Sequence, residues 1–116
     1  LMRGTGFVYI TGSNLVQSAI PAVAAVAKQL KVPVYSAETE FVKTGMAAAN
    51  FAVSLKSVGA NAAHVANQIL KGTPPSQIAV IRPSSDDYIT TISRKKFREL
   101  GLTVPASFDD CNCFAD

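Results

Sequence analysis

The sequence predicts an α/β fold built on a parallel sheet, and three observations carry that prediction. A short β-branched and aromatic run, Phe7 to Thr11, is closed by Gly12-Ser13-Asn14. An Ala-rich segment from Ser18 to Leu30 has helical composition, and Lys31 to Ser36 returns to strand character. Strand, helix and strand joined by brief connections form a βαβ unit, whose strands run parallel through a right-handed crossover. In such sheets ligands bind beyond the C-terminal strand ends, here Thr11 to Asn14 and Ser36 to Glu40.

Each element has a local reason. Phe7 to Thr11 is too short and too apolar for a surface helix and reads as a buried strand. Ser18 is placed to cap the next helix, with Pro21 inside its first turn. Pro33 suits the beginning of the second strand. Met46 to Leu55 lacks polar alternation, so helix and strand compete, with strand favoured. From Ser57 to Leu70 the apolar residues Val58, Ala62, Val65, Ala66, Ile69 and Leu70 recur at helical spacing, and Lys71-Gly72 ends the helix. Thr73 to Ser76 is a stiff connector, Ile78 to Ile81 is expected as a strand, and Pro83 to Asp87 turns the chain. Tyr88 to Ile92 alternates as a strand, Ser93 caps a helix through Leu100, and Gly101 stops it before an extended segment at Pro105.

Composition narrows the function. Of 116 residues 48% are hydrophobic and 16% charged, which is globular and fits one domain. The formal charge of +3 raises nucleic acid as a partner. Only Arg94, Lys95, Lys96 and Arg98 cluster, without an aromatic ladder, so a solvated helix face is expected and nucleic-acid binding is rejected. No run of eighteen apolar residues occurs. Leu1 to Gly4 lacks the regions of a signal peptide, so an export address would lie elsewhere. Cys111 and Cys113, without a second Cys or His pair, argue against a metal site and suggest an unstructured tail at residues 111–116.

Catalytic chemistry has no foothold. His64 lacks partners in a recognisable order, Gly4-Thr5-Gly6 precedes a strand instead of following one, and no phosphate-cradling loop occurs. The expectation is a protein that is not an enzyme and carries no cofactor. Ser13 and Asn14, where a strand meets a helix, offer hydroxyl, amide and backbone N–H groups to an anionic ligand group, although turn formation and capping explain them as well. Glu38 could accept from an ammonium group or be an ordinary loop acid; Glu40 reads as solvated. Tyr35, Phe41 and Phe51 suit core packing better than ligand contact.

Ser13 to Ala22, Val32 to Tyr35, Phe41 to Gly45, Ala66 to Pro75 and Leu100 to Pro105 together resemble the C-terminal portion of the ABC-transporter substrate-binding family that includes tryptophan- and tyrosine-binding lipoproteins. The resemblance spans about Phe7 to Phe108. It implies a lobe of a type I periplasmic-binding-protein fold, three-layered and Rossmann-like, with helices on both faces of the sheet. Residues 1–44 and 78–110 would build the C-terminal lobe, and residues 45–77 would cross a hinge and place a helix on the other lobe. It further implies a small-molecule ligand, an amino acid with aromatic ones among the candidates, held between lobes by Ser13, Asn14 and Glu38. ABC permease and ATPase subunits would be partners, at a periplasmic or extracellular membrane-anchored location. A ligand-sensing regulatory domain of the same fold is the alternative. A chain lacking most of the first lobe would bind its solute weakly and could cover its bare apolar helix by forming a homodimer. Glu38-Thr39-Glu40 lacks the glycine the family often has after its acidic pair, Lys56-Ser57-Val58 replaces an aromatic pair, and Thr90 to Ser93 lacks a frequent asparagine.

Overall fold

In the computed structural model, which describes residues 2–115, the elements follow the order β1 (Val8–Ile10), α1 (Asn14–Ser18), α2 (Ile20–Gln29), β2 (Val34–Ser36), α3 (Thr39–Lys43), β3 (Ala49–Val53), α4 (Leu55–Leu70), β4 (Tyr88–Ile92) and α5 (Arg94–Leu100). Two compact units divide them, one reaching to Ala52 and resuming at Thr90, the other being Val53–Ile89. The second unit overlaps the expected crossing segment over residues 53–77.

The first unit is organised by a sheet in the order β1-β2-β3-β4, with β2 parallel to both neighbours. Its register sorts side chains by face, because successive residues of a strand point to opposite sides. Ile10, Ser36 and Asn50 form one row, and Tyr9, Tyr35 and Ala49 form the adjacent row on the other face. On the first face Ile10 and Val34 are buried with Ile20 and Ala27 of α2 and Val42 of α3. Full burial of a side chain such as Ile20 contributes about 1.5–3 kcal/mol relative to exposure. On the other face Ala48, Ile92 and Phe97 form a second cluster, joined by Tyr35, Leu100 and Phe108. Helices thus cover both faces.

The helix after β1 begins earlier than the sequence suggests and is broken. Ser18 does not cap it; its Oγ donates to the carbonyl of Leu15 at 2.8 Å, inside α1. Pro21 explains the break, since it has no N–H for the carbonyl of Gln17 and its ring crowds that carbonyl. The chain therefore steps at Ala19 (φ −93°, ψ 1°) and restarts with Pro21 in the first turn of α2. Lys31 then takes φ 54°, a left-handed exit that leaves only Val34–Ser36 as strand. The Ala-rich stretch after Gly45 does become a strand, because Ala47 and Ala48 are fully buried and Ala48 bonds to Val34 on one side and Ser93 on the other.

At the C-terminal side, Ser93 caps α5 by accepting from the Lys96 N–H at 3.1 Å, and Gly101 closes it at φ 70°. The tail is not unstructured as expected. Cys111 and Cys113 are disulfide-bonded, the Ile92 N–H donates to the Cys113 carbonyl at 2.7 Å, and Phe114 bridges Ile92. Phe114 also carries Arg94 over its ring at 3.2 Å, while Lys96 meets Glu99 at 3.6 Å. Arg94 and Lys96 of the basic cluster therefore make contacts within the fold. Residue 116 of the expected tail and residue 1 of the expected lobe lie outside the described residues.

In the second unit α4 is capped by Ser54, which accepts from the Ser57 N–H at 3.4 Å. Ile78 to Ile81 is not a strand. Ladder partners are what stabilise a strand; Ile81 instead lines a shallow groove with Ala62, Val65 and Ile69 of α4, and Val80 is 84% exposed. The loop before β4 is held by Asp87, whose Oδ2 accepts from the Ser84 N–H at 2.7 Å and its hydroxyl at 2.9 Å. These bonds, with one from Ser57, hold the Asp87 carboxyl below its ordinary 3.8. A depressed folded-state value means the contribution to stability is present above the unfolded value and is lost as the pH falls through the folded one. Protection of the Ser84 amide, its exchange relative to the intrinsic rate at each pH, should fall as the pH drops through the folded value in the wild type, and Asp87→Asn should show no such fall; a variant that loses protection over the same range would refute the assignment.

Candidate functional site

The C-terminal strand ends gather polar side chains at one end of the sheet. The Ala37 N–H donates to the Ile10 carbonyl at 3.0 Å, which brings the loop after β2 beside the end of β1. That proximity joins two stretches the sequence separates by more than twenty residues. Ser13, half-buried, stands at the N-cap of α1 in extended conformation and makes no side-chain capping bond. Its hydroxyl is therefore not used for the capping role that rivalled ligand contact. Asn14 opens α1 and is exposed. With only five residues, α1 contributes little dipole.

Glu38 is half-buried at the N-cap of α3, again without a side-chain cap. Its Oε1 accepts from Gln17 Nε2 of α1 at 3.3 Å, so the residue is tied to the element that follows Ser13. Its backbone N–H donates to the Oγ of the fully buried Ser36 at 2.9 Å. Sequence reasoning missed Gln17, and it also missed α3. Acidic Glu40 in the first turn and Lys43 in the last are the dipole-matched signals that mark this helix.

Behind this loop lies Asn50, which is 3% exposed. Its Nδ2 donates to Thr39 Oγ1 at 3.1 Å, while Oδ1 is buried without a hydrogen-bond partner among the described residues. Asn50 went unnoticed because nothing in the run Met46 to Leu55 distinguishes a polar residue facing a helix from one facing water.

The aromatic candidates separate. Phe41 packs against the first core cluster, and Tyr35 joins the second while meeting Phe7 edge-on at 5.9 Å. Phe51 is 57% exposed, so core packing does not describe it. With Phe7, Tyr9, Tyr35, Phe97 and Leu102 it lines an open groove of about 730 Å³ along the sheet face away from α2. Exposed His64 meets Gln68 of its own helix, with Nε2 atoms 3.2 Å apart. Among the described residues no cluster of His, Cys, Asp and Glu could hold a metal, and no helix is long and apolar enough to cross a membrane.

Comparison with known proteins agrees with this architecture. A conserved domain protein from Vibrio cholerae is 28% identical over 89% of this chain, with a TM-score of 0.73. The ligand-free, open structure of a substrate-binding protein with adhesive properties from Clostridium difficile is also 28% identical, over 91% of the chain, with a TM-score of 0.62. A Streptococcus pneumoniae ABC domain in complex with L-Trp shares the fold at 24% identity, covering 96% of the chain with a TM-score of 0.77. This chain spans 34%, 34% and 37% of those structures, about a third of their length. No curated protein matches the sequence. The family model for ABC transporter substrate-binding proteins matches residues 2–109, nearly the whole chain, and the chain accordingly belongs to that family.

Proposed function

We propose that this chain supplies one wall of a solute-binding cleft, that the solute is an amino acid, and that the protein delivers it to an ABC permease from outside the cytoplasm. The observation that carries the reading is Glu38. A half-buried carboxylate at the strand ends, whose Oε1 partner is a neutral amide, can still accept a charge-assisted bond from an ammonium group. The uncapped Ser13 hydroxyl and the Asn14 amide stand at the neighbouring strand end and suit a carboxylate. The Streptococcus pneumoniae neighbour, with L-Trp bound, supports an amino acid as the class.

In this reading the unit that reaches to Ala52 and resumes at Thr90 belongs to one lobe and Val53–Ile89 leads towards another, so cleft closure depends on polypeptide that faces Ser13, Asn14 and Glu38. Ligand would favour closure only through its greater affinity for the closed state. α4 has no buried residue, which favours coverage by further polypeptide or, in the isolated chain, by a second copy. Titration calorimetry of the protein at its natural length against the twenty amino acids should give saturable heats for a small subset. No heat with any of them would refute amino-acid binding.

A further inference from the structure

Hydrogen bonds from three elements converge on residues 36–39. Gln17 of α1 holds the Glu38 carboxylate, Ser36 at the end of β2 holds the Glu38 N–H, and Asn50 of β3 holds the Thr39 hydroxyl. Ser36 and Asn50 are register partners on adjacent strands, at 0% and 3% exposure. Their side chains therefore stand side by side beneath the loop.

We propose that Gln17 and Asn50 are positioning residues that set Glu38 for a ligand's ammonium group, which makes the site selective for primary amines over otherwise identical acids. The inference rests on the reading of Glu38 as the ammonium acceptor. A glutamate on a short loop has several rotatable bonds, and freezing them on binding would subtract from affinity. Gln17 engages Oε1, and an ionised carboxylate has two oxygens with about four acceptor sites, so Oε2 stays available to a second donor. The backbone is fixed from below in the same way. Glu38 N–H to Ser36 fixes one side of the loop at 2.9 Å, and Asn50 to Thr39 fixes the other at 3.1 Å, so Glu38 lies between two anchored neighbours.

Asn50 itself argues for a purpose beyond packing. Its buried Oδ1 has no partner among the described residues, an arrangement that an apolar side chain of similar size would avoid. The core around it is built of Ile10, Val34 and Val42, which shows that apolar side chains fit this face. What the amide supplies that they cannot is the bond to Thr39 at the first turn of α3.

The test pairs each amino acid that gives saturable heats with the acid that differs from it only in lacking the amine, L-tryptophan with indole-3-propionate or L-tyrosine with 3-(4-hydroxyphenyl)propionate for example, by calorimetry on the protein at its natural length. The wild type should prefer an amino acid to its des-amino partner by tenfold or more. Gln17→Leu and Asn50→Ala should each reduce that preference at least threefold while the affinity for the des-amino acid stays within twofold. Gln17 lies on a short peripheral helix, so its variant keeps the test open should Asn50→Ala fold poorly. Equal losses for both members of a pair, or an unchanged ratio, would overturn the positioning role and leave the proposed function standing. A wild type that binds no amino acid, or binds both members of each pair alike, would overturn the reading of Glu38 and the inference with it.

Discussion

Phe97→Ala should destabilise the first unit by about 3–5 kcal/mol, the usual cost of removing a buried aromatic side chain. Phe97 is the single buried side chain of α5, 8% exposed, and packs with Ala48 and Ile92. Its loss opens a cavity between helix and sheet that Ala48 is too small to fill. Against a total stability of about 5–15 kcal/mol for a domain, the variant should unfold at much lower denaturant concentration. Urea unfolding followed by circular dichroism measures the shift, with Leu15→Ala as control. Leu15 is 81% exposed, and a change there should stay within about 0.5 kcal/mol. A loss below about 1 kcal/mol for Phe97→Ala would mean that α5 does not pack as described.

The second large effect belongs to Glu38. Glu38→Gln keeps the shape and an acceptor oxygen for Gln17 but removes the charge. Hydrogen bonds involving a charged group contribute about 1.5–3 kcal/mol, so affinity for an amino acid should fall roughly 10- to 100-fold. Affinity for the des-amino analogue should not fall, because it brings no cation for Glu38 to receive. A Glu38→Gln protein that binds amino acids as well as the wild type would remove this residue from the ligand. The same substitution separates two sources of loss: a merely loosened loop would weaken both compounds.

How far the site could be read in advance depends on which signals were local. Ser13, Asn14 and Glu38 stand at strand ends, and strand ends follow from β-branched runs punctuated by polar loops. Gln17 and Asn50 carry no such signal. Gln17 becomes relevant because Pro21 breaks the helix and leaves a short separate α1, whose Gln17 meets the β2–α3 loop. Asn50 matters because register places it beside Ser36. Ile78 to Ile81 shows the opposite failure: strand-like composition without a neighbouring strand to complete the ladder. The tail was misjudged for a related reason. Its residues pair with Ile92 through backbone groups, and backbone pairing leaves no mark on side-chain identity.

The sequence by itself determined the α/β class, the strands β1 and β4, the Ser93 cap and Gly101 stop of α5, and the polar loops that follow the strands. Those features rest on apolar periodicity, capping chemistry and glycine's access to positive φ, all properties of residues within a few positions of one another. Only the tertiary structure decided the strand order, the pairing of the C-terminal segment and the bonding of Gln17, Ser36 and Asn50 around Glu38 and Thr39. Each depends on which distant segments become neighbours, and that follows from burying both faces of the sheet at once.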